Sequence, residues 1–533
     1  MNQMTPPPKI EIIPPSAPFS EAQRSWLNGF FAGLLSTDGP MPLTAEQGAG
    51  LLQPAGDGDD GEAPWHDQTM PIAERMKLAG GRPLRRRMMA AMAQQDCGQC
   101  GYNCNDYSDA IASKAEARLN LCVPGGKETA RMLKALHEEL EKAPAASAPA
   151  SAPVASIAGP STEPGRSRDN PIAATFVSRR LLNRPGSEKE TWHIDFDLSG
   201  CGLDYVVGDS FGIFARNDLG HVDQIIALLG ASHTTQVRGR TLREVLQDEV
   251  SLAPAPDSLF ELLSFITGGP QREKARALAQ GEDPDGDAAT LDVMAALQKF
   301  SGARPHPEAF VEALEPLQPR LYSISSSHNA TPGKLSLTVD CVRYVIGKRK
   351  RLGLASTFLA ERINPGDQVE VYIQKAHGFA LPQDAGTPII MIGPGTGIAP
   401  FRAFLQDRRA IGATGKNWLF FGHQRSDCDF FYGDELNAMK ASGLLTRLSL
   451  AWSRDGDKKF YVQDRMREVG RELWNWIAEG ANIYICGDAK RMAKDVERAL
   501  VDIVAQFGAR SIGEAVLFVA DLKKKGRFQQ DVY

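Results

Sequence analysis

Four of the chain's eight cysteines lie in one short stretch, spaced Cys97-x2-Cys100-x3-Cys104-x17-Cys122. Four thiolates at this spacing suit a 4Fe-4S cluster or a tetrahedral zinc ion, with free thiols as the plain alternative. The stretch contains no histidine, which leaves the two metals open. Glycines in Asp96-Cys97-Gly98-Gln99-Cys100-Gly101-Tyr102-Asn103-Cys104 let backbone wrap a metal centre, and Cys122-Val123-Pro124-Gly125-Gly126 closes the set. A second chemistry-bearing piece, Gly393-Pro394-Gly395-Thr396-Gly397-Ile398-Ala399-Pro400, joins a buried apolar run to a helical pattern. Such a turn brings backbone close to a pyrophosphate, whose charge a helix N-terminus favours, although the spacing is not the GxGxxG fingerprint. Arg320-Leu321-Tyr322-Ser323-Ile324-Ser325-Ser326-Ser327 offers a guanidinium fork for a diphosphate, a stacking face and a hydroxyl for a ring heteroatom. A strand with a polar edge would read the same way. Gly353-Leu354-Ala355-Ser356-Thr357 puts small residues at a helix start, which suits phosphate or a plain N-cap.

The elements that must carry these residues are written in composition and hydrophobic period. The chain has 533 residues, 42% apolar and 23% charged, which excludes collagen-like and wholly disordered classes and predicts several domains. A net charge of −5 argues against a binder held to nucleic acid by phosphate contacts. No run of eighteen apolar residues exists, so no membrane insertion is expected. Met1 to Ile10 carries three prolines and no apolar stretch behind a basic cluster, so no secretory leader is expected. Eight cysteines are too few for a disulfide scaffold, and their clustering suits a metal site in a cytoplasmic protein.

Near the N-terminus, Ser20-Glu21-Ala22-Gln23 followed by Trp26, Phe30, Phe31, Leu34 and Leu35 reads as a capped amphipathic helix for docking or dimer contact. Residues 56–62 read as an acidic loop, and 83–92 as a basic, methionine-rich lead into the cysteines. Residues 128–142 have helical spacing, with Met132, Leu133, Leu136 and Leu140 on one face. Residues 143–168, mostly Ala, Pro and Ser, read as a tether. Strand alternation is predicted at 172–182, 191–198, 205–207, 335–344 and 368–373, with 223–300 mostly helical. From Thr387 onward, apolar strands at 388–392, 418–421, 447–452 and 482–486 alternate with helices, the pattern of a doubly wound parallel sheet.

From about Asn170 to Tyr533 the chain resembles the NADPH-sulfite reductase flavoprotein (alpha) subunit family of the ferredoxin–NADP reductase superfamily. The motifs behind this are Tyr205-Val206-Val207-Gly208-Asp209, Arg320-Leu321-Tyr322-Ser323, Gly353-Leu354-Ala355-Ser356 and the run from Met391 to Phe404. They continue with Asn417-Trp418-Leu419-Phe420-Phe421-Gly422, Ala451-Trp452-Ser453-Arg454-Asp455, Tyr461-Val462-Gln463-Asp464, Ile485-Cys486-Gly487-Asp488 and the terminal Asp531-Val532-Tyr533.

The resemblance implies an FAD site of Arg320, Leu321, Tyr322, Ser323, Thr338, Val339, Tyr344 and Gly353, Leu354, Ala355, Ser356. Tyr322 and Tyr533 would cover the two flavin faces. NADPH would meet Gly395 and Thr396, its 2′-phosphate held by Ser453, Arg454, Lys459, Tyr461 and Gln463, with Asp495 supporting the pocket; a dianionic phosphate needs charge-assisted donors. Ser323, Cys486 and Asp531 would assist hydride transfer by position and proton balance, Cys486 not acting as a nucleophile. Cys97, Cys100, Cys104 and Cys122 resemble an iron–sulfur module of electron-transfer proteins, with one residue fewer between the second and third cysteines, and 4Fe-4S is the expected cluster.

The family carries an FMN-binding flavodoxin-like domain before its linker. About 140 residues precede the linker here, without its phosphate-loop pattern, so the cluster is expected to take the place of FMN. The expected architecture is multidomain α/β plus β. Residues 1–80 are an N-terminal helix and loop region, 81–142 a small iron–sulfur module and 143–169 the linker. Residues 170–384 are an antiparallel FAD-binding barrel with a helical insertion at about 221–315, and 385–533 a doubly wound NADPH-binding sheet. The implied function is electron transfer from NADPH through FAD and the cluster to a haem- or sirohaem-containing reductase subunit in trans, most directly for sulfite reduction. The chain itself shows no sirohaem cysteine set, and homo-oligomer contact through the N-terminal region is expected. The alternatives are a reductase for another acceptor, such as assimilatory nitrate reductase or an oxygenase, and a zinc-stabilised interaction module on a vestigial reductase.

Overall fold

Period-two alternation over residues 172–374 resolves into an antiparallel sheet, since a half-buried strand must send alternate side chains to opposite faces. The structure, a computed structural model, describes residues 63–67, 70–95, 100–142, 163–376 and 378–533. The amphipathic helix expected from Ser20, the acidic 56–62 loop, Cys97 and residues 143–162 of the expected tether lie outside them.

Six strands form the antiparallel sheet: β1 (Ile172–Leu181), β2 (Thr191–Asp197), β3 (Ser210–Ile213), β4 (Arg320–Ser323), β5 (Lys334–Asp340) and β6 (Gln368–Gln374). Their order is β4-β3-β6-β1-β2-β5, and an antiparallel bridge between Ile324 and Leu337 brings the two edges together. Phe176, Ile194, Phe196, Phe211, Leu337 and Val371 fill its core. Between β3 and β4 the chain forms six α-helices from Leu219 to Glu312 around a separate core of Ile225, Leu259, Phe260 and Phe310.

The C-terminal sheet is wholly parallel, in the order β9-β8-β7-β10-β11. Its strands are β7 (Ile389–Ile392), β8 (Asn417–His423), β9 (Arg447–Trp452), β10 (Asn482–Gly487) and β11 (Phe528–Val532). Ile389 to Ile392 are all buried, as a strand covered on both faces requires.

The N-terminal module has four helices, α1 (Ile72–Leu78), α2 (Leu84–Ala91), α3 (Cys104–Ala112) and α4 (Gly126–Lys142). Its core takes in Ile72 and Trp65 is fully buried beside it, so the folded module begins well before the expected boundary at 81. Nor is the module separate from the two sheets, for residues 61–533 make one compact unit. The reason is the polar face of α4. Arg131 forms a two-pronged ion pair with Asp257 at 2.7 and 2.8 Å, Lys127 donates to the Ala255 carbonyl, and the Lys127 ammonium lies 5.5 Å from the Phe260 ring centre.

Two expected strands need correction. Residues 205–207 are irregular, because Asp209 Oδ2 accepts the Val206 N–H at 2.9 Å and turns the chain before β3 begins. Residues 335–344 break after Asp340, where the Cys341 N–H crosses to the Glu190 carbonyl at 2.7 Å, and a hairpin of Arg343–Ile346 and Arg349–Leu352 comes next.

The two sheets are joined by polar contacts of fixed geometry. The helix α5 (Ile398–Ala410) sets Asp407 2.7 Å from Ser327 Oγ and Arg402 2.7 Å from the Ser325 carbonyl. Tyr432 bridges His193 Nδ1 at 3.0 Å and Thr338 Oγ1 at 2.7 Å. Buried hydrogen bonds to a charged group contribute about 1.5–3 kcal/mol each, enough to hold the sheets in register.

Candidate functional site

Where the sheets meet, three side chains far apart in sequence converge. Register places Cys486 of β10 beside Asp531 of β11, and β4 ends at Ser323 facing both. Ser323 Oγ donates to Asp531 Oδ2 at 2.6 Å, and Cys486 Sγ stands 3.6 Å from the same oxygen. Burial pushes the Asp531 carboxyl above its usual range, while the Ser323 and Cys486 hydrogen bonds oppose the shift. Burial and the adjacent carboxylate push the Cys486 thiol well above its usual value. A thiol held protonated is a donor and packing group, not a nucleophile. The trio can therefore hold or pass one proton between a hydroxyl and a carboxyl.

The glycine-rich turn is fixed against this trio. A Cβ on Gly397 would stand 2.1 Å from the Cys486 carbonyl oxygen, so only glycine lets the start of α5 approach that strand. The C-terminus packs on the same turn: the Tyr533 N–H donates to the Gly487 carbonyl at 3.0 Å, and its phenol lies 2.8 Å from Thr396 Oγ1. The Tyr533 ring is 55% exposed, free to move without breaking a core.

Of the residues expected around FAD, Arg320 opens β4 with only two long contacts, 3.3 Å to the Gln318 and Pro319 carbonyls, and no carboxylate partner among the described residues. Burial lowers its pKa, which is the condition of a guanidinium waiting for an anion, and its open fork fits a diphosphate. Leu321 and Tyr322 come after it in β4, opposite Gly212 and Phe211. Burial raises the Tyr322 phenol. Gly353 is pinned to the Val342 carbonyl at 2.8 Å, and a Cβ there would meet Ser356 Oγ at 2.6 Å. Leu354, Ala355 and Ser356 form the first turn after it. Tyr344 is 51% exposed on the neighbouring hairpin. The Thr338 hydroxyl is committed to Tyr432 and Val339 is buried in the sheet core, so their side chains meet protein.

A cavity of about 310 Å³ lies over the parallel sheet, lined by Gly395, Thr396, Gly487, Tyr533, His423 and Lys189. Sequence reasoning missed His423 and Lys189. His423 ends β8, and the carboxyl ends of parallel strands are where open α/β sheets bind ligands, a rule that could have found it. Its Nδ1 is 3.2 Å from the fully buried Asp429, but burial still lowers its pKa. Asp429 accepts from Ser187 Oγ at 2.5 Å and Asn183 Nδ2 at 2.8 Å. Burial would raise that carboxyl, but these donors hold it below its usual range.

Ser453 and Arg454 come directly after β9, their N–H groups donating to the His423 carbonyl at 3.0 Å and the Gln424 carbonyl at 2.8 Å. The Arg454 guanidinium pairs with Glu188. Lys459 and Tyr461 are exposed and Gln463 half-buried in the segment that follows. Asp495 sits in the first turn of the helix Met492–Phe507, not among the residues lining the 310 Å³ cavity.

The cysteine stretch forms a small core. Cys100 and Cys104 are buried and Cys122 half-buried among Met88, Tyr107 and Leu121. Asn103 Oδ1 caps α3 on the Asp106 N–H at 2.7 Å, placing Cys104 at its first residue, and Gly101 takes φ +91°, which glycine alone adopts freely. The Ala93 and Gly125 N–H groups hydrogen-bond the Cys122 sulfur, although burial dominates and raises the thiol. Arg75 is buried against Cys104 and Cys122 with its Nε unpartnered. The Arg75 guanidinium beside Cys104 and Cys122 is placed to offset thiolate charge there. Among the described residues no three His, Cys, Asp or Glu side chains form a group that could hold a metal ion, and the fourth cysteine, Cys97, lies outside them. Two cavities border this module. Arg75, Ala93 and Pro124 share one of about 240 Å³ with Ala489, whose N–H donates to the Tyr533 carbonyl at 3.1 Å. Gln94 and Gln95, which precede Cys97 in the sequence, share another of about 880 Å³ with Ser210 and Asp531.

Comparison with known proteins gives matches to two domain families and to a group of curated relatives. Residues 164–301 and 240–358 match the FAD binding domain family, and 391–498 the oxidoreductase NAD-binding domain family. Sulfite reductase (NADPH) flavoprotein alpha-components are similar to much of the chain. The protein from Photorhabdus laumondii subsp. laumondii is 42% identical over 367 residues, 68% of this chain and 61% of its own length. That from Klebsiella pneumoniae subsp. pneumoniae is 43% identical over 376 residues, 69% of this chain and 61% of its own length. The chain thus spans about 61% of the length of these curated relatives. No helix among the described residues is long and apolar enough to cross a membrane.

Proposed function

With 68% of its length homologous to a sulfite reductase flavoprotein alpha-component, and with FAD-binding and NAD-binding oxidoreductase domains, we propose that this chain is a cytoplasmic NADPH-dependent flavoprotein reductase. Its residues would hold FAD and a four-cysteine iron–sulfur cluster, and its acceptor would be a haem- or sirohaem-containing subunit acting in trans, the sulfite reductase haemoprotein by similarity. The observation that carries the reading is the hydrogen-bonded convergence of Ser323, Asp531 and Cys486 beside the Thr396–Tyr533 contact.

Bound FAD would supply hydride acceptance and storage of two electrons, and a bound cluster would supply one-electron transfer. The chain's own residues do the rest. Arg320 and the Gly353–Ser356 turn would hold the diphosphate of the flavin nucleotide, and Tyr322 would stack against its ring. Ser323 keeps its hydroxyl hydrogen on Asp531, giving the reacting edge a proton reservoir while Cys486 stays a neutral donor. Tyr533 would cover the other face, its exposed ring able to move aside for a nicotinamide. Arg454, Ser453 and Lys459 supply charged and hydroxyl donors for a 2′-phosphate, which selects NADPH over NADH. Cys97, Cys100, Cys104 and Cys122 would hold the cluster, and Arg75 would offset its negative charge. Gln94 and Gln95 share one cavity with Asp531 and Pro124 another with Ala489, so the module borders the Asp531 end of the sheets, in keeping with electron transfer between them.

The test is anaerobic mixing of the FAD-loaded protein with NADPH or NADH. The reading requires the flavin band to bleach with NADPH far faster than with NADH. Equal rates would remove the coenzyme assignment, and no bleaching with either would remove the reductase.

A further inference from the structure

The turn between β1 and β2 carries a carboxylate into the coenzyme end of the parallel sheet. Glu188 Oε2 pairs with Arg454 Nη1, although the two side chains are 61% and 40% exposed and no packing forces them together. The turn that presents Glu188 is nevertheless held firmly. Asn183 and Ser187 both donate to Asp429, a fully buried carboxylate in the segment after β8, and the Arg184 N–H donates to the Cys428 carbonyl at 2.9 Å. On its other side Lys189 lines the cavity with Thr396 and Tyr533. Glu188 is therefore fixed one residue from a buried anchor and one residue from the coenzyme cavity.

We propose that Glu188 stands in for the coenzyme's 2′-phosphate: it occupies Arg454 in the free protein and must release it when the phosphate arrives. This rests on the assignment of Arg454 to the 2′-phosphate. A phosphate with nearly two charges and three acceptor oxygens outcompetes a single carboxylate, so the pair weakens coenzyme binding without preventing it. It also keeps Arg454 extended toward the site and unavailable to other anions. Glu188 is thus a specificity-setting residue acting through Arg454, and its effect is confined to ligands that carry the 2′-phosphate.

The test is calorimetric titration of the full chain with adenosine 2′,5′-bisphosphate and with 5′-AMP. Glu188→Gln should tighten the bisphosphate about 1.5- to 5-fold, the range of a solvent-exposed ion pair, and leave 5′-AMP unchanged. The gain should vanish in an Arg454→Ala background, because the two residues act as one unit. Unchanged or weaker bisphosphate binding by Glu188→Gln, or equal tightening of both ligands, overturns the proposal. If those results come with a large loss for Arg454→Ala alone, the 2′-phosphate assignment still stands. If Arg454→Ala does not weaken the bisphosphate, that assignment fails and the proposal falls with it.

Discussion

Gly397 offers the sharpest test of how the glycine-rich turn serves the reacting trio. A methyl group at this position would stand 2.1 Å from the Cys486 carbonyl oxygen and 2.8 Å from its carbon, where real Cβ contacts stay beyond 3.0 Å. The obstacle is backbone, so no rotamer relieves it. Gly397→Ala must move α5 or the Cys486–Gly487 segment by about 0.9 Å, the shortfall from that limit. Overpacking of this kind costs about 1–3 kcal/mol of stability, which a protein of this size should survive folded. The displaced segment, however, carries Cys486 and accepts the Tyr533 N–H, so the trio and the lid shift together. A misplacement near 1 Å costs on the order of a hundredfold in rate. Stopped-flow bleaching of the flavin by NADPH should show that loss, with flavin content and the FAD-to-protein ratio kept. A variant that binds flavin, folds and bleaches at the wild-type rate would refute the claim that this contact positions the trio.

Four further outcomes are expected. Asp531→Asn removes the acceptor of the Ser323 hydroxyl and should slow flavin bleaching by NADPH about a hundredfold or more; an unchanged rate would show that the carboxylate plays no part. Because the Asp531 carboxyl is raised in the folded protein, folding takes up a proton above pH 3.8, and stability from this group falls as pH rises through the raised value. Urea unfolding should therefore show the wild type losing stability relative to Asp531→Asn as pH rises, and parallel profiles would contradict it. Tyr533→Ala removes the Thr396 contact and the ring, so steady-state kinetics should show better use of NADH and a smaller preference for NADPH; no change with either coenzyme would place the ring outside the hydride path. Arg131→Ala breaks the ion pair to Asp257, worth up to about 1 kcal/mol, and amide exchange in Gly126–Lys142 should quicken up to about fivefold; unchanged protection would show that α4 docks without it.

Much of the scaffold was legible in hydrophobic period. The strand expected at 447–452 is β9, and the run at 388–392 matches β7 within one residue, because strands buried on both faces have few other readings. β11 escaped notice. Its sequence Phe528-Gln529-Gln530-Asp531-Val532 is mostly polar, as an edge strand paired on one side can be. The motif serines were only partly understood: Ser325 and Ser327 are buried contacts to α5, while Ser323 alone meets Asp531. Glu188, Lys189, His423 and Asp429 were missed because they meet only when two sheets pack, and no spacing along the chain announces it. The docking of α4 on the helical insertion was hidden for the same reason, since Arg131 and Asp257 are 126 residues apart.

The central claim is that the four-cysteine module is the electron exit rather than a structural staple, and Cys122→Ala tests it most directly. The variant should keep NADPH–ferricyanide activity, which draws on FAD in the reductase domains, while transfer from NADPH to the haem partner falls sharply and iron is lost from the protein. Full reduction of the partner by a variant without iron would contradict the account and make the module structural.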